Sequence, residues 1–495
     1  MYNLTKKLSY LYLTVFIIIF AFITLQSCQQ DFVNPPVSGT QVFPDEIDAI
    51  FNAPFENNIT CRTPGCHASG NNASGLDLTS WDKTLQGSDN GTMVIPYNGF
   101  WSHMISVINS DTNYAPVTTV TLPEYHKIDT NKVFTIMNWI NNGAKSKEGI
   151  TAFTNVSGSE KGFITNQAAD LVAVLKPASK QVIRLIPVGG RSTILDSPHY
   201  ITLSHDNSYF YVSLIQEGYI EKFDVNTDYP FAKADRMQAG LNPAHISISP
   251  DGAYGYVTNF DASGTERMVR KFTTSPMQVI DTVTDIKMKA PHGMAMSSNG
   301  QLLFITSQLG EYIFKIDLSN FEIINSAPVD PSVPPTGNGT GLFKPYQAIL
   351  SPDNSKLFVS CVSANQVRVY NSSDLSMITT IPVGANPLLM KITNDGNYLF
   401  VCNRNNNSVT IINVSTLSVQ TTVTEVGIQP HGVDFTADGQ YAIIACETQS
   451  GFDGHHPQVG SKKIGVSRMI KTSTFELMPD RLEMGSFPAG IAIVK

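Results

Sequence analysis

The chain is predicted to be multi-domain: a small all-α domain followed by an all-β seven-bladed propeller. Three observations predict this. After residue 168 a phrase recurs: a Pro, a short apolar strand, a polar turn, then a stronger apolar strand. Its prolines stand at 198, 243, 291, 345, 387, 430 and 488. The shorter steps between them match one four-stranded blade, and the longer ones hold insertions. The seventh copy stops after one strand at the C-terminus, while 170–189 carries outer strands ahead of the first full copy. Joining those two pieces closes the ring and leaves no open sheet edge. Before residue 149 the phrase is absent, and the segment ends in helical periodicity.

Length and composition set the outer limits. At 495 residues the chain is too long for one ordinary core. With 42% hydrophobic and 15% charged residues it is globular rather than disordered. A formal net charge of −8 argues against a nucleic-acid partner, which would require a basic face. The expected partition is 1–27 signal peptide, 28–45 tether, 46–148 first domain, 149–167 linker and 168–495 propeller.

The N-terminus is expected to be an export signal. Lys6 and Lys7 precede an apolar run from Leu11 to Leu25, the length of a signal core and short for a membrane span. Leu25-Gln26-Ser27-Cys28 resembles a lipobox. That resemblance implies lipid on Cys28 and a lipid-anchored place in the cell envelope, on the periplasmic side or at the outer membrane. Cys361, Cys402 and Cys446 end apolar strands and are expected to be small buried hydrophobes.

The first domain carries Cys61-Arg62-Thr63-Pro64-Gly65-Cys66-His67. Haem attachment needs two thiols and a following His, at the standard spacing C-x-x-C-H. Here two more residues intervene, which the Pro64-Gly65 turn is placed to absorb. A disulfide with a bystander His is the alternative. The last helix follows from its pattern: Asp129 or Thr130 caps it, Val133, Ile136, Met137 and Ile140 form one face, and Gly143 suits the stop. From "GCHASGNNASGLDLTSWDKTL" through "KVFTIMNWINNGAKS" the segment resembles the cytochrome c domains of planctomycete and Bacteroidetes proteins. The resemblance implies covalent haem c on Cys61 and Cys66, with His67 on the iron. Where that family has Met-Pro, this chain has Leu122-Pro123, so the sixth ligand stays open among His126, Met104 and neighbouring His103, or none. A His ligand would lower the potential relative to Met.

The propeller repeats, from "SPHYITLSHDNSYFYVS" to "QPHGVDFTADGQYAIIAC", resemble the YVTN family, and the literal string stands at Tyr256–Asn259. His199, His292 and His431 each follow the Pro of their blade, with His245 one residue further on. Equal register in a radial repeat means equal position around one axis. These imidazoles, with Glu447 and an insertion carrying Asp453, His455 and His456, are candidate ligands for a metal or second haem, or else a solvated rim. Tyr346, Leu388 and Ala489 interrupt the set.

Three functions remain open. The first is an electron-transfer lipoprotein whose propeller docks a redox partner protein. The second is a redox enzyme with its own metal or haem on the propeller. The third is a non-redox envelope binding protein. Ser-His-Asp spacing and a phosphate loop are absent, so binding and electron transfer are expected ahead of catalysis.

Overall fold

Each Pro of the repeat starts an inner strand: Pro198–Leu203, Pro243–Ile248, Pro291–Met296, Pro345–Leu350, Pro387–Ile392, Pro430–Phe435 and Pro488–Ile493. These begin blades one to seven, each a four-stranded antiparallel sheet. Consecutive inner strands touch around a closed ring, the last against the first. The computed structural model describes residues 40–55, 58–70, 72–89, 91–118, 126–450 and 463–495, of which Gln41–Lys495 form one compact unit. Among the described residues no helix is long and apolar enough to cross a membrane. Cys28 and the signal segment, Leu122-Pro123, Asp453, His455 and His456 lie outside the described residues.

Ring closure occurs as the sequence predicts. Blade seven takes Pro488–Ile493 as its inner strand, beside Gly162–Asn166, Leu171–Lys176 and Gln181–Pro187. The segment 149–167, expected as a linker, therefore supplies a strand. Gly162 lies opposite Ile493, and Phe163 opposite Ala492. A Cβ on Gly162 would strike the Ile493 side chain. The run is short, and its inner partner lies at the other end of the chain, so no local pattern reveals it.

Two devices recur from blade to blade. At the polar turn, Ser204 donates to Asp206 (2.6 Å) while its oxygen accepts from the Tyr209 N–H (2.9 Å). Ser249, Ser351, Thr393 and Thr436 do the same in their blades. The second device is a hydroxyl in the second strand. Thr258 accepts from the His245 N–H (3.1 Å) and donates to the His292 carbonyl of the next blade (2.6 Å). Ser213, Thr306, Ser360 and Thr165 bridge the same junction elsewhere. Cys402 and Ala445 hold this place in blades five and six and lack the hydroxyl. Cys361, Cys402 and Cys446 are fully buried.

The N-terminal segment departs from the all-α expectation. Its described residues form four short α-helices, α1 Asp45–Asn52, α2 Trp81–Thr84, α3 His103–Ile108 and α4 Thr130–Asn141, joined by turns. Turn formers such as Pro64-Gly65 and Ser88-Asp89 keep much of the rest from helix. Helix α4 is as predicted: Asp129 accepts from the Asn131 N–H, Val133, Ile136 and Ile140 are buried, and Gly143 is left-handed. It packs through Trp139 on Phe43, whose ring also meets Phe51. Phe43, expected in the tether, is thus core.

Nor does this segment stand apart as a separable domain. Ile95 belongs to a core with Leu482, Met484 and Val182 of blades six and seven. The Val182 N–H donates to Thr92 (2.8 Å). Tyr97 stacks on Tyr229 of blade one at 4.2 Å. Phe153 and Val156, also expected in the linker, pack against the blade one and seven core.

Candidate functional site

The N-terminal segment holds an open apolar pocket. Phe51, Leu76, Leu78, Met93, Ile108 and Ile128 line it, together with Cys61, Cys66, His67, Met104 and His126. The turn through Pro64-Gly65 absorbs the long spacing: the Cys66 N–H donates to the Thr63 carbonyl (2.9 Å), and the His67 N–H returns to the Cys61 carbonyl (3.0 Å). Both thiols are free and half-buried. Burial pushes the Cys61 thiol up to about 11. The His67 and His126 rings meet edge to face with centres 6.1 Å apart. Burial and then the adjacent His126 hold His67 below its ordinary value. Its Nδ1 is buried without a hydrogen-bond partner among the described residues.

Of the open ligand candidates, His126 opposes His67, and Met104 lies in the pocket wall. His103 is buried on the propeller side, its Nδ1 3.9 Å from a Glu483 oxygen.

The second cluster lies on the propeller axis. His199, His245, His292 and His431 are all buried there, in blades one, two, three and six. The His199 and His292 Nε2 atoms are 3.2 Å apart. One ring nitrogen from each of His199, His245 and His292 lies within 4.8 Å of the others. His431 stands 6.1 Å, ring to ring, from His199. The one-residue offset of His245 does not remove it from the cluster: its ring stacks on Tyr200 at 4.0 Å and lies 4.7 Å from His292. Burial, then neighbouring imidazoles, hold His199 and His245 well below their ordinary values. Burial lowers His292 to about 3.

Glu447 does not join the three histidines. It accepts from His431 Nδ1 (2.8 Å) and takes Arg404 with both oxygens (2.8 and 2.6 Å). Burial alone would raise its pKa; His431 and Arg404 bring it below the usual carboxylate range. His431 Nε2 meets the Tyr346 hydroxyl at 3.1 Å. Leu388 and Tyr346 form a small apolar cluster, so the axis is imidazole-rich on one side and apolar on the other.

Sequence reasoning missed Gln167, Phe260 and Arg404. All three, like Glu447, directly follow the second strand of their blade. Gln167 meets His199, Phe260 edges onto His292, and Arg404 grips Glu447. A second register of axis-facing positions was therefore present in the repeat, one step past the strand end.

Closed blades around a buried, histidine-rich axis define a seven-bladed propeller protein. The family model "Lactonase, 7-bladed beta-propeller" matches residues 165–452, and the chain belongs to that family. It is 23% identical over 290 residues to a 6-phosphogluconolactonase of Erwinia tasmaniensis, covering 54% of this chain and 82% of that one. It is 22% identical to antigen Lp49 of Leptospira interrogans, over 55% of this chain and 59% of that one. Among solved structures, a functionally unknown protein from Desulfotomaculum acetoxidans aligns with a TM-score of 0.54 at 12% identity, over 68% of this chain and 99% of that one. A putative 6-phosphogluconolactonase from Bacteroides fragilis aligns at 0.53 and 14%, over 70% and 100%. Both structural matches share the propeller fold.

Proposed function

We propose that this chain is a c-type haem protein of the cell envelope that exchanges electrons with a partner protein, using the propeller as scaffold and docking surface. One observation carries the reading: Cys61, Cys66, His67 and His126 converge on one apolar pocket. Imidazole nitrogen bonds a metal at about 2 Å, so two rings that shared one iron would have centres up to roughly 6 Å apart. The 6.1 Å between His67 and His126 fits that spacing. In this reading Cys61 and Cys66 would hold the haem covalently, and His67 and His126 would bind its iron. The haem would supply one-electron chemistry. The protein's part is to orient both imidazoles, hold His67 neutral through burial, and exclude water with Phe51, Leu76 and Met93. Two nitrogen ligands favour a lower potential than a His–Met pair. The lipobox at Cys28 supports the lipid-anchored location.

The test is production of the full chain with the c-type maturation machinery, followed by haem staining of a denaturing gel. Staining that disappears in Cys66→Ser supports the reading. In His126→Ala the bis-imidazole low-spin spectrum is expected to give way to a high-spin one, with staining retained. A chain that never stains refutes it.

Family membership favours a second reading, hydrolysis of a lactone at the propeller mouth. His431 would activate water there, its Nδ1–H oriented by Glu447. Against it, Arg404 is already committed to Glu447, which leaves it ill placed to receive a phosphate. Lactone turnover abolished in His431→Gln would favour this reading; no turnover by the wild type would remove it.

A further inference from the structure

We propose that His199, His245 and His292 form a transition-metal site on the propeller axis, separate from the haem pocket. The three come from adjacent blades, and each is less than 8% exposed. His292 Nδ1 donates to the Tyr346 carbonyl (3.1 Å), which leaves its Nε2 as a bare acceptor. His199 Nδ1 lies 3.3 Å from the Gln167 side-chain oxygen. Donation there leaves the His199 Nε2 bare as well. These two Nε2 atoms face each other at 3.2 Å. Two lone pairs at that distance repel, and a cation between them turns repulsion into coordination.

The separation of the His199 and His292 Nε2 atoms is the one a metal requires, and a ring nitrogen of His245 lies within 4.8 Å of both. Imidazole nitrogens at about 2.0–2.1 Å from a tetrahedral ion stand about 3.3 Å apart. Carbonyl or amide acceptors on the far ring nitrogens are the usual outer support of ligating histidines. His245 supplies the independent observation. It is fully buried, and neither ring nitrogen has a hydrogen-bond partner among the described residues. Leaving a buried polar group unpaired is costly, and a metal bond relieves it. Neutral imidazoles without a carboxylate select zinc, copper or another late first-row ion over calcium or magnesium. Three protein ligands leave a fourth position for water or a small ligand, the pattern of a reactive rather than a purely structural site.

The test uses the untagged full chain, stripped by chelator, loaded with Zn²⁺ or Cu²⁺ and freed of excess ion. Elemental analysis should return one equivalent per chain, and the melting temperature should rise on loading and fall again with chelator. His245→Gln and His292→Gln should each reduce the retained metal at least tenfold while keeping the wild-type circular dichroism. Cys66→Ser should keep the full equivalent, which separates this site from the haem. Co²⁺ loading should give the visible bands of a tetrahedral, nitrogen-rich site. A wild type that holds less than a tenth of an equivalent and shows no melting shift overturns the proposal. So does a double variant that retains as much metal as the wild type.

Discussion

Glu447 shows how much one side chain can organise. Its carboxylate is buried, yet it stays ionised because His431 and Arg404 both donate to it. Its folded pKa lies below the unfolded value of about 4.3. The group therefore adds stability that is fully present above that value and is lost as the pH falls through the folded pKa. Glu447→Gln should cost about 2 kcal/mol at neutral pH, the scale of a buried hydrogen bond to a charged group. Denaturant titrations from pH 7 down to 3 should show the gap between wild type and variant narrowing below about pH 4. A gap that widens in acid would contradict the assignment. His431 was legible from its register in the sequence. Its partner Arg404 was not, because nothing local says that the residue after one blade's strand meets the corresponding residue of the next.

At the scale of the element, the inner strands are ordered by their neighbours. In every blade the residue before the inner-strand Pro is left-handed, from Ser197 (φ 58°) and Asn242 (φ 47°) to Phe487 (φ 59°). None of them is Gly, so each carries local strain that the packed ring must offset. The hydroxyl bridges contribute to that. Thr258 is fully buried and satisfies both the His245 N–H and the His292 carbonyl. Thr258→Val keeps the shape but strands one donor and one acceptor. Thermal and denaturant unfolding should show a loss of about 1–3 kcal/mol. An unchanged midpoint would mean the bridge is without weight. The Thr of Tyr256-Val257-Thr258-Asn259 marks the repeat in the sequence, but its role between blades appears only once the ring is assembled.

At the scale of the molecule, the N-terminal segment and propeller behave as one body. Ile95 fills a core shared with blades six and seven, and Tyr97 covers Tyr229. Burying a side chain of that size contributes about 1.5–3 kcal/mol, and an aromatic pair about 1 more. A fragment of residues 160–495 should therefore melt lower than the full chain and aggregate sooner, and the full chain should unfold in one calorimetric transition. Two resolved transitions, with the fragment melting like the upper one, would restore the picture of independent domains.

The sequence by itself determined the seven blades, the closure of the last by the C-terminal strand, helix α4 and its cap, and the shared register of His199, His292 and His431. These are local or periodic facts: a strand's alternation, a cap residue, a fixed step between repeats. Only the tertiary structure decided the rest. It made Gly162–Asn166 a strand, because that strand's inner partner lies at the other end of the chain. It brought His126 opposite His67, and it set His245 beside His292 despite the offset. It tied Glu447 to His431 and Arg404 instead of the histidine trio. Each of these depends on which side chains meet across a turn or an axis, and such meetings are set by packing of distant segments, which no window of sequence contains.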